Sequence, residues 1–161
     1  MMPEKSDTKN VKNVSDSRVE LHHFMMPEHA NLHGNVHGGV IMKLADEAGA
    51  LCAIRHANRP AVTVAIDSMT FLSPVHVGDV LTLKASLNYD GRTSMEVGVK
   101  VIAENPLTGE KTHTNSAYAV YVALDPAGKP SRVPELELST DVDKRRWNDA
   151  KERQERRLGN K

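Results

Sequence analysis

Between Val40 and His56 the apolar residues Ile41, Leu44, Ala48 and Leu51 recur at intervals of three and four, the spacing of one buried helix face. Beside that face runs a lane of small residues, Ala45, Gly49 and Ala53, with Ala50 next to it. Small side chains let a sheet or a second backbone come close. A helix with both lanes has to be enclosed by whatever the rest of the chain forms, and that requirement constrains the fold more than any other feature.

Beyond the helix the chain turns strand-like. Residues 61–72, 79–89, 93–103 and 112–124 are rich in Val, Thr and Ile with partial alternation. Ser73-Pro74, Val77-Gly78-Asp79, Asp90-Gly91 and Asn105-Pro106-Leu107-Thr108-Gly109 separate them as turns, which favours successive antiparallel pairing. The lack of further core helices argues against a parallel βαβ sheet. A shorter mixed segment, residues 18–26, reads as an early strand, and the Gly-, His- and Asn-rich stretch from Pro27 to Gly39 as a loop. The expected architecture is α+β: an antiparallel sheet with one long helix packed on one face.

A chain of 161 residues accommodates one compact domain. We place it at residues 18–126, after a disordered lead-in at residues 1–17 that is rich in Lys, Asp, Ser and Asn. Residues 127–161 read as a linker, broken by Asp125-Pro126-Ala127-Gly128-Lys129-Pro130, and a charged C-terminal helix at residues 140–158 pinned by Val142 and Trp147. A sharper reading of that helix gives its cluster Lys144, Arg145 and Arg146 to a phosphorylated ligand. Lys plus Arg equals Asp plus Glu at 21 each, so overall charge selects neither nucleic acid nor an anionic membrane as partner. No apolar run approaches the roughly 18 residues of a membrane span, and none resembles a secretory h-region. One cysteine, Cys52, excludes an internal disulfide and thiolate-rich zinc sites and fits a reducing compartment, so a soluble, cytoplasmic protein is expected.

The chemistry narrows by elimination. His29, His33 and His37 stand four apart, but Asn31, Gly34, Asn35, Gly38 and Gly39 make a continuous helix through them improbable, so no metal site is expected. No G-x-S-x-G elbow is present, and Cys52 falls inside the helix pattern, where a buried thiol is inert. What remains is the pair Gly38-Gly39 opening the helix, with Asp46-Glu47 about two turns inside it. A helix N-terminus presents unpaired N–H groups and the positive end of the macrodipole, and glycine admits a ligand to that backbone: the requirements of an oxyanion hole. A carboxylate two turns along is placed to activate water or attack a carbonyl held there. An ordinary solvated Asp and a plain Gly-Gly turn account for the same spacing, but Asp46 adjoins Ala45, Gly49 and Ala50 and not a charged face.

The run Met26-Pro27-Glu28-His29-Ala30-Asn31-Leu32-His33-Gly34-Asn35-Val36-His37-Gly38-Gly39, then Met42-Lys43-Leu44-Ala45-Asp46-Glu47-Ala48-Gly49, resembles the hotdog acyl-CoA thioesterases of the brain acyl-CoA hydrolase and YciA-like group. Thr63-Val64-Ala65 through Phe71-Leu72-Ser73-Pro74, Val77-Gly78-Asp79 and Gly91-Arg92-Thr93-Ser94-Met95-Glu96-Val97 continue the likeness in order, so it spans about residues 18–124. The resemblance implies a hotdog fold, a sheet wrapped around the central helix, with two subunits joining edge to edge into a double hotdog and, by analogy, a trimer of dimers. It implies hydrolysis of acyl-CoA to fatty acid and CoA at sites shared between subunits, with no cofactor beyond the CoA of the substrate. The Gly38 or Gly39 amide would polarise the thioester carbonyl, Asp46 would act as base or nucleophile, Asn31 would come from the opposite subunit, and His37 would orient the loop or thioester. Arg92, Thr93 and Ser94 supply donors at a strand start and are candidates for CoA contacts. Two alternatives are a hydratase or dehydratase with His37 as base, and a non-catalytic acyl-CoA-binding regulator, which the presence of Asp46 opposes.

Overall fold

Alternation along β4 (Val80–Asp90) buries Leu81, Leu83, Ala85 and Leu87 while Thr82, Lys84 and Ser86 face the other way. β5 (Ser94–Glu104) does the same with Met95, Val97, Val99, Val101 and Ala103. Each fully buried aliphatic side chain on that face contributes about 1.5–3 kcal/mol. In the computed structural model of the chain, which describes residues 10–159, these strands form the middle of a five-stranded antiparallel sheet. Its order is β2-β4-β5-β6-β3, with β2 (Val19–Phe24), β6 (Lys111–Ala123) and β3 (Ala61–Phe71).

Helix α1 (Gly38–Ala57) lies in the concave face and touches all five strands. Its apolar and small-residue lanes are both used, since Ile41, Leu44, Ala45, Ala48, Gly49, Cys52 and Ala53 are buried. It ends where Asn58 takes the left-handed conformation (φ 51°) and donates its N–H to the Ile54 carbonyl. This is the α+β arrangement expected from the enclosed helix, and the hotdog architecture that the resemblance implies.

The expected successive pairing holds for β4, β5 and β6 only. β3 does not pair with β4; it crosses to the far edge and pairs with β6, from Ala61 opposite Ala123 to Phe71 opposite Asn115, while β2 takes the vacant edge of β4. The Ser73–Asp79 segment between β3 and β4 is a crossover long enough to change edges, not a hairpin turn.

Two further expectations are corrected at the chain ends. Residues 1–9 of the anticipated disordered lead-in lie outside the described residues, but residues 10–17 are ordered. Val11–Asn13 forms β1, parallel to β7 (Glu135–Glu137), and Val14 and Ser17 are buried. The stretch expected as a linker thus supplies a strand and a core residue, Leu136.

The charged helix α2 (Asp141–Gly159) packs across the convex face of the sheet. Trp147 pins it as expected, its Nε1–H donating to Asp90 (2.9 Å) and its ring lying 5.0 Å from that of Tyr89. Val142 does not share that work, because it points to solvent at 43% exposure. The second anchor is Arg153, which donates through Nε and Nη2 to the buried Glu96 carboxylate (2.8 and 2.9 Å) and stacks on Tyr118, with Cζ 3.8 Å from the ring centroid.

Candidate active site

Asp46 sits on the α1 face turned toward β3 and β6, half-buried. Thr63 Oγ1 on β3 donates to its Oδ1 at 2.7 Å. The Tyr121 hydroxyl on β6 reaches the same oxygen at 3.1 Å and the Asp46 main-chain carbonyl at 3.2 Å. Oδ2 has no hydrogen-bond partner among the described residues, so the carboxylate is held by one oxygen and offers the other. Tyr121 is fully buried, and burial, with Asp46 beside it, pushes its phenol well above the usual range. The phenol therefore stays protonated and acts as a donor to the carboxylate.

Gly49 makes this contact possible. A β-carbon there would overlap the Tyr121 hydroxyl and lie 3.0 Å from Cζ, so any side chain at Gly49 would expel the phenol from the helix surface. The lane of small residues thus admits one side chain of the sheet to the helix backbone next to Asp46.

At the start of α1, His37 is the N-cap and its Nδ1 accepts the Gly39 N–H at 3.1 Å. That bond places the ring proton on Nε2 in the neutral imidazole. The Gly38 N–H has no partner among the described residues, whereas Gly39 is occupied by His37. Gly38 also faces the exposed Phe71, whose ring carbons would lie 3.5 Å from a β-carbon at that position.

Asn31 lies in the loop before α1. Its side-chain oxygen accepts from the His33 and Asn35 N–H groups (2.9 and 3.2 Å), closing a turn, and its amide NH2 has no hydrogen-bond partner among the described residues. No hydrogen bond joins it to Asp46 within one chain. Arg92, Thr93 and Ser94 lie at the β4–β5 turn, where the Arg92 and Thr93 carbonyls accept from Val133 and Ala123. Ser94 pairs with Val122, one register step from Tyr121. They do not touch Asp46. His29 Nδ1 accepts from the Met26 N–H, a local turn contact. Cys52 is buried, and burial pushes its thiol up to about 11, which keeps it un-ionised.

Thr63 and Tyr121 are the residues that sequence reasoning missed. Thr63 opens the Thr63-Val64-Ala65 stretch of the resemblance but is given no role there, and Tyr121 reads as ordinary strand core. Only the register of β3 on β6, which places Thr63 opposite Tyr121, brings both to one carboxylate.

Residues 33–110 match the Thioesterase superfamily. The acyl-CoA thioester hydrolase YciA of Escherichia coli is 39% identical over 126 residues, which cover 76% of this chain and 95% of that protein. A crystal structure of an apo-hexameric acyl-CoA thioesterase, 40% identical, superposes with a TM-score of 0.89 over 94% of this chain and 97% of the other. The acyl-CoA hydrolase of Staphylococcus aureus, solved with butyryl coenzyme A, coenzyme A and coenzyme A disulfide, is 34% identical with a TM-score of 0.86 over 93% and 92% of the two chains. By sequence and by fold, the chain belongs to the hotdog thioesterase superfamily, among the acyl-CoA thioester hydrolases that include YciA.

Proposed function

We propose that this acyl-CoA thioester hydrolase cleaves fatty acyl-CoA to free fatty acid and CoA, with Asp46 as the residue that drives the attack. The observation that carries this reading is the one-sided hold on its carboxylate: Thr63 and Tyr121 fix Oδ1, and Oδ2 stays unpaired among the described residues. A preorganised carboxylate oxygen either takes a proton from water as water adds to the thioester carbonyl, or adds to that carbonyl itself and is released by hydrolysis. In both courses the carbonyl oxygen gathers negative charge as the new C–O bond forms. The Gly38 N–H, unlike that of Gly39, is free to receive it at the positive end of α1. Collapse of the tetrahedral centre breaks the C–S bond and releases CoA thiolate.

The Staphylococcus aureus hydrolase has been solved as alanine variants of an asparagine, an aspartate and a threonine. The asparagine precedes that aspartate by 15 residues and the threonine follows it by 17. Asn31, Asp46 and Thr63 have the same spacing here, which supports treating them as one functional set. Asn31, whose amide NH2 has no partner among the described residues, would orient water or substrate in the partner's site. Arg92, Thr93 and Ser94 remain candidates for pantetheine or phosphate contacts.

The assembly follows the same reading. β3 is one of the two outer strands of the sheet, and Val62, Val64, Ile66 and Phe71 along it are 40–54% exposed. An apolar edge of this kind suits pairing with a second copy into a double hotdog, and the hexameric relative supports a trimer of such dimers. A hydratase with His37 as base is disfavoured, because Nδ1 is engaged by Gly39 and Nε2 carries the proton.

The test is thiol release from a panel of acyl-CoAs with Asp46→Asn. Loss of the carboxylate that drives the attack should lower hydrolysis by roughly 1000-fold or more while CoA binding and oligomer size persist. Near-normal turnover would remove Asp46 from the mechanism, and an enoyl product without thiol release would establish a dehydratase.

A further inference from the structure

The convex side of the sheet, away from Asp46, carries a groove of roughly 570 Å³ between α2 and strands β2, β4, β5 and β6. That size suits a small ligand. Its composition departs from a chain that is neutral overall, since Arg18, Lys84, Lys100, Arg145, Arg146 and Arg153 line it against only Glu20 and Asp149. Arg153 is committed to Glu96, but the other five cations have no ion pair among the described residues.

Lys84 and Lys100 stand directly opposite each other on β4 and β5, both exposed. Like charges in that relation destabilise a sheet unless something neutralises them. From above, Arg145 and Arg146 on α2 add two cations over the same strands.

The floor is closely packed at its glycine, which the Asn88 side chain covers. Gly98 lies between Ser86 and Tyr118 in register, and a β-carbon there would come within 2.8 Å of the Asn88 amide nitrogen. The Ser86 hydroxyl at the wall is buried with no hydrogen-bond partner among the described residues, a polar group left over by the fold itself.

We propose that this groove is a second anion site, binding a phosphorylated small molecule whose phosphates are shared by Lys84, Lys100, Arg145 and Arg146. Two or more phosphate groups in one ligand match four cations contributed by two strands and a helix. The sheet separates the groove from Asp46, so the site is distinct from the one that holds the thioester in the same chain. The phosphates belong either to a free metabolite or to CoA itself.

Trp147, the single tryptophan, lies on α2 just beyond Arg146 and reports binding by its fluorescence. The full-length protein is titrated with inorganic tripolyphosphate and, separately, with CoA. Saturable tripolyphosphate binding is expected, weakened at least tenfold in Lys84→Ser/Lys100→Ser and likewise in Arg145→Ser/Arg146→Ser. The lysine pair variant removes a repulsion and should melt no lower than the parent, so loss of binding would not reflect unfolding. Tripolyphosphate displaced by CoA in the parent, with CoA binding also weakened in the lysine variant, identifies CoA as the source. Undiminished CoA binding in that variant identifies a separate metabolite. Absence of saturable tripolyphosphate binding, or binding unchanged in both variants, overturns the proposal. So does a changed oligomer size in the lysine variant when the parent binds no tripolyphosphate, since the face is then an interface between copies.

Discussion

Replacing Tyr121 by Phe removes one oxygen and almost no volume, at a position where that oxygen bridges the Asp46 side chain and main chain at 3.1 and 3.2 Å. Hydrogen bonds to charged acceptors contribute about 1.5–3 kcal/mol. The lower end applies here because Asp46 is only half-buried, the hydroxyl is shared with a carbonyl, and Thr63 at 2.7 Å remains on the same oxygen. A loss of about 1.5 kcal/mol in the transition state is roughly tenfold in rate. The assay is steady-state thiol release with one acyl-CoA, beside a melting curve. KM should change little, because the hydroxyl holds Asp46, which we propose drives the attack, and not the substrate. If kcat stays where it is in a folded Tyr121→Phe protein, the hold on Oδ1 has no part in catalysis.

Three other outcomes are expected. Gly49→Ala gains about 1 kcal/mol of helix propensity but drives a β-carbon into the Tyr121 hydroxyl, so activity should fall with no gain in melting temperature, and adding Tyr121→Phe should restore part of the stability. Arg153→Met strands the Glu96 carboxylate, 4% exposed, with Asn88 as its remaining side-chain partner, and should cost about 3 kcal/mol in urea unfolding. His56 is buried at the end of α1 with Nε2 on the Pro134 carbonyl, and burial lowers its pKa from the ordinary value. Its contribution is fully present above about pH 6.5 and lost as the pH falls through the depressed folded value, because only the unfolded chain takes up the proton readily. Urea midpoints at about pH 7.5 and about pH 5 should diverge in the parent and converge in His56→Gln.

The central helix was legible because two lanes of side chains, one bulky and one small, leave an enclosing sheet as the only economical partner. Asp46 stood out from spacing because it adjoins the small-residue lane and not a charged face, and the Gly38-Gly39 pair because it opens the helix. Strand order was not, since period-two alternation assigns a face to each residue but no neighbour to each strand. Thr63 and Tyr121 were hidden for the same reason: their meeting at one oxygen depends on the β3–β6 register. The choice of Gly38 over Gly39 turned on a single imidazole nitrogen whose direction no spacing encodes. The β1 and β7 strands, three residues each, are too short to carry a period at all.

The pairing of those two short strands matters for anyone altering the chain ends. Val11–Asn13 and Glu135–Glu137 lie side by side in parallel, so segments from opposite ends of the described chain form one clasp over the end of α1. Lys12 reinforces it by donating to the Arg55 carbonyl and to the Asn58 side chain at the helix terminus. Cutting away either strand would remove the parallel pairing that joins it to the other. Shortened versions of this protein should therefore be designed with both strands kept or both removed, and a tag joined close to Val11 will be felt at Glu135.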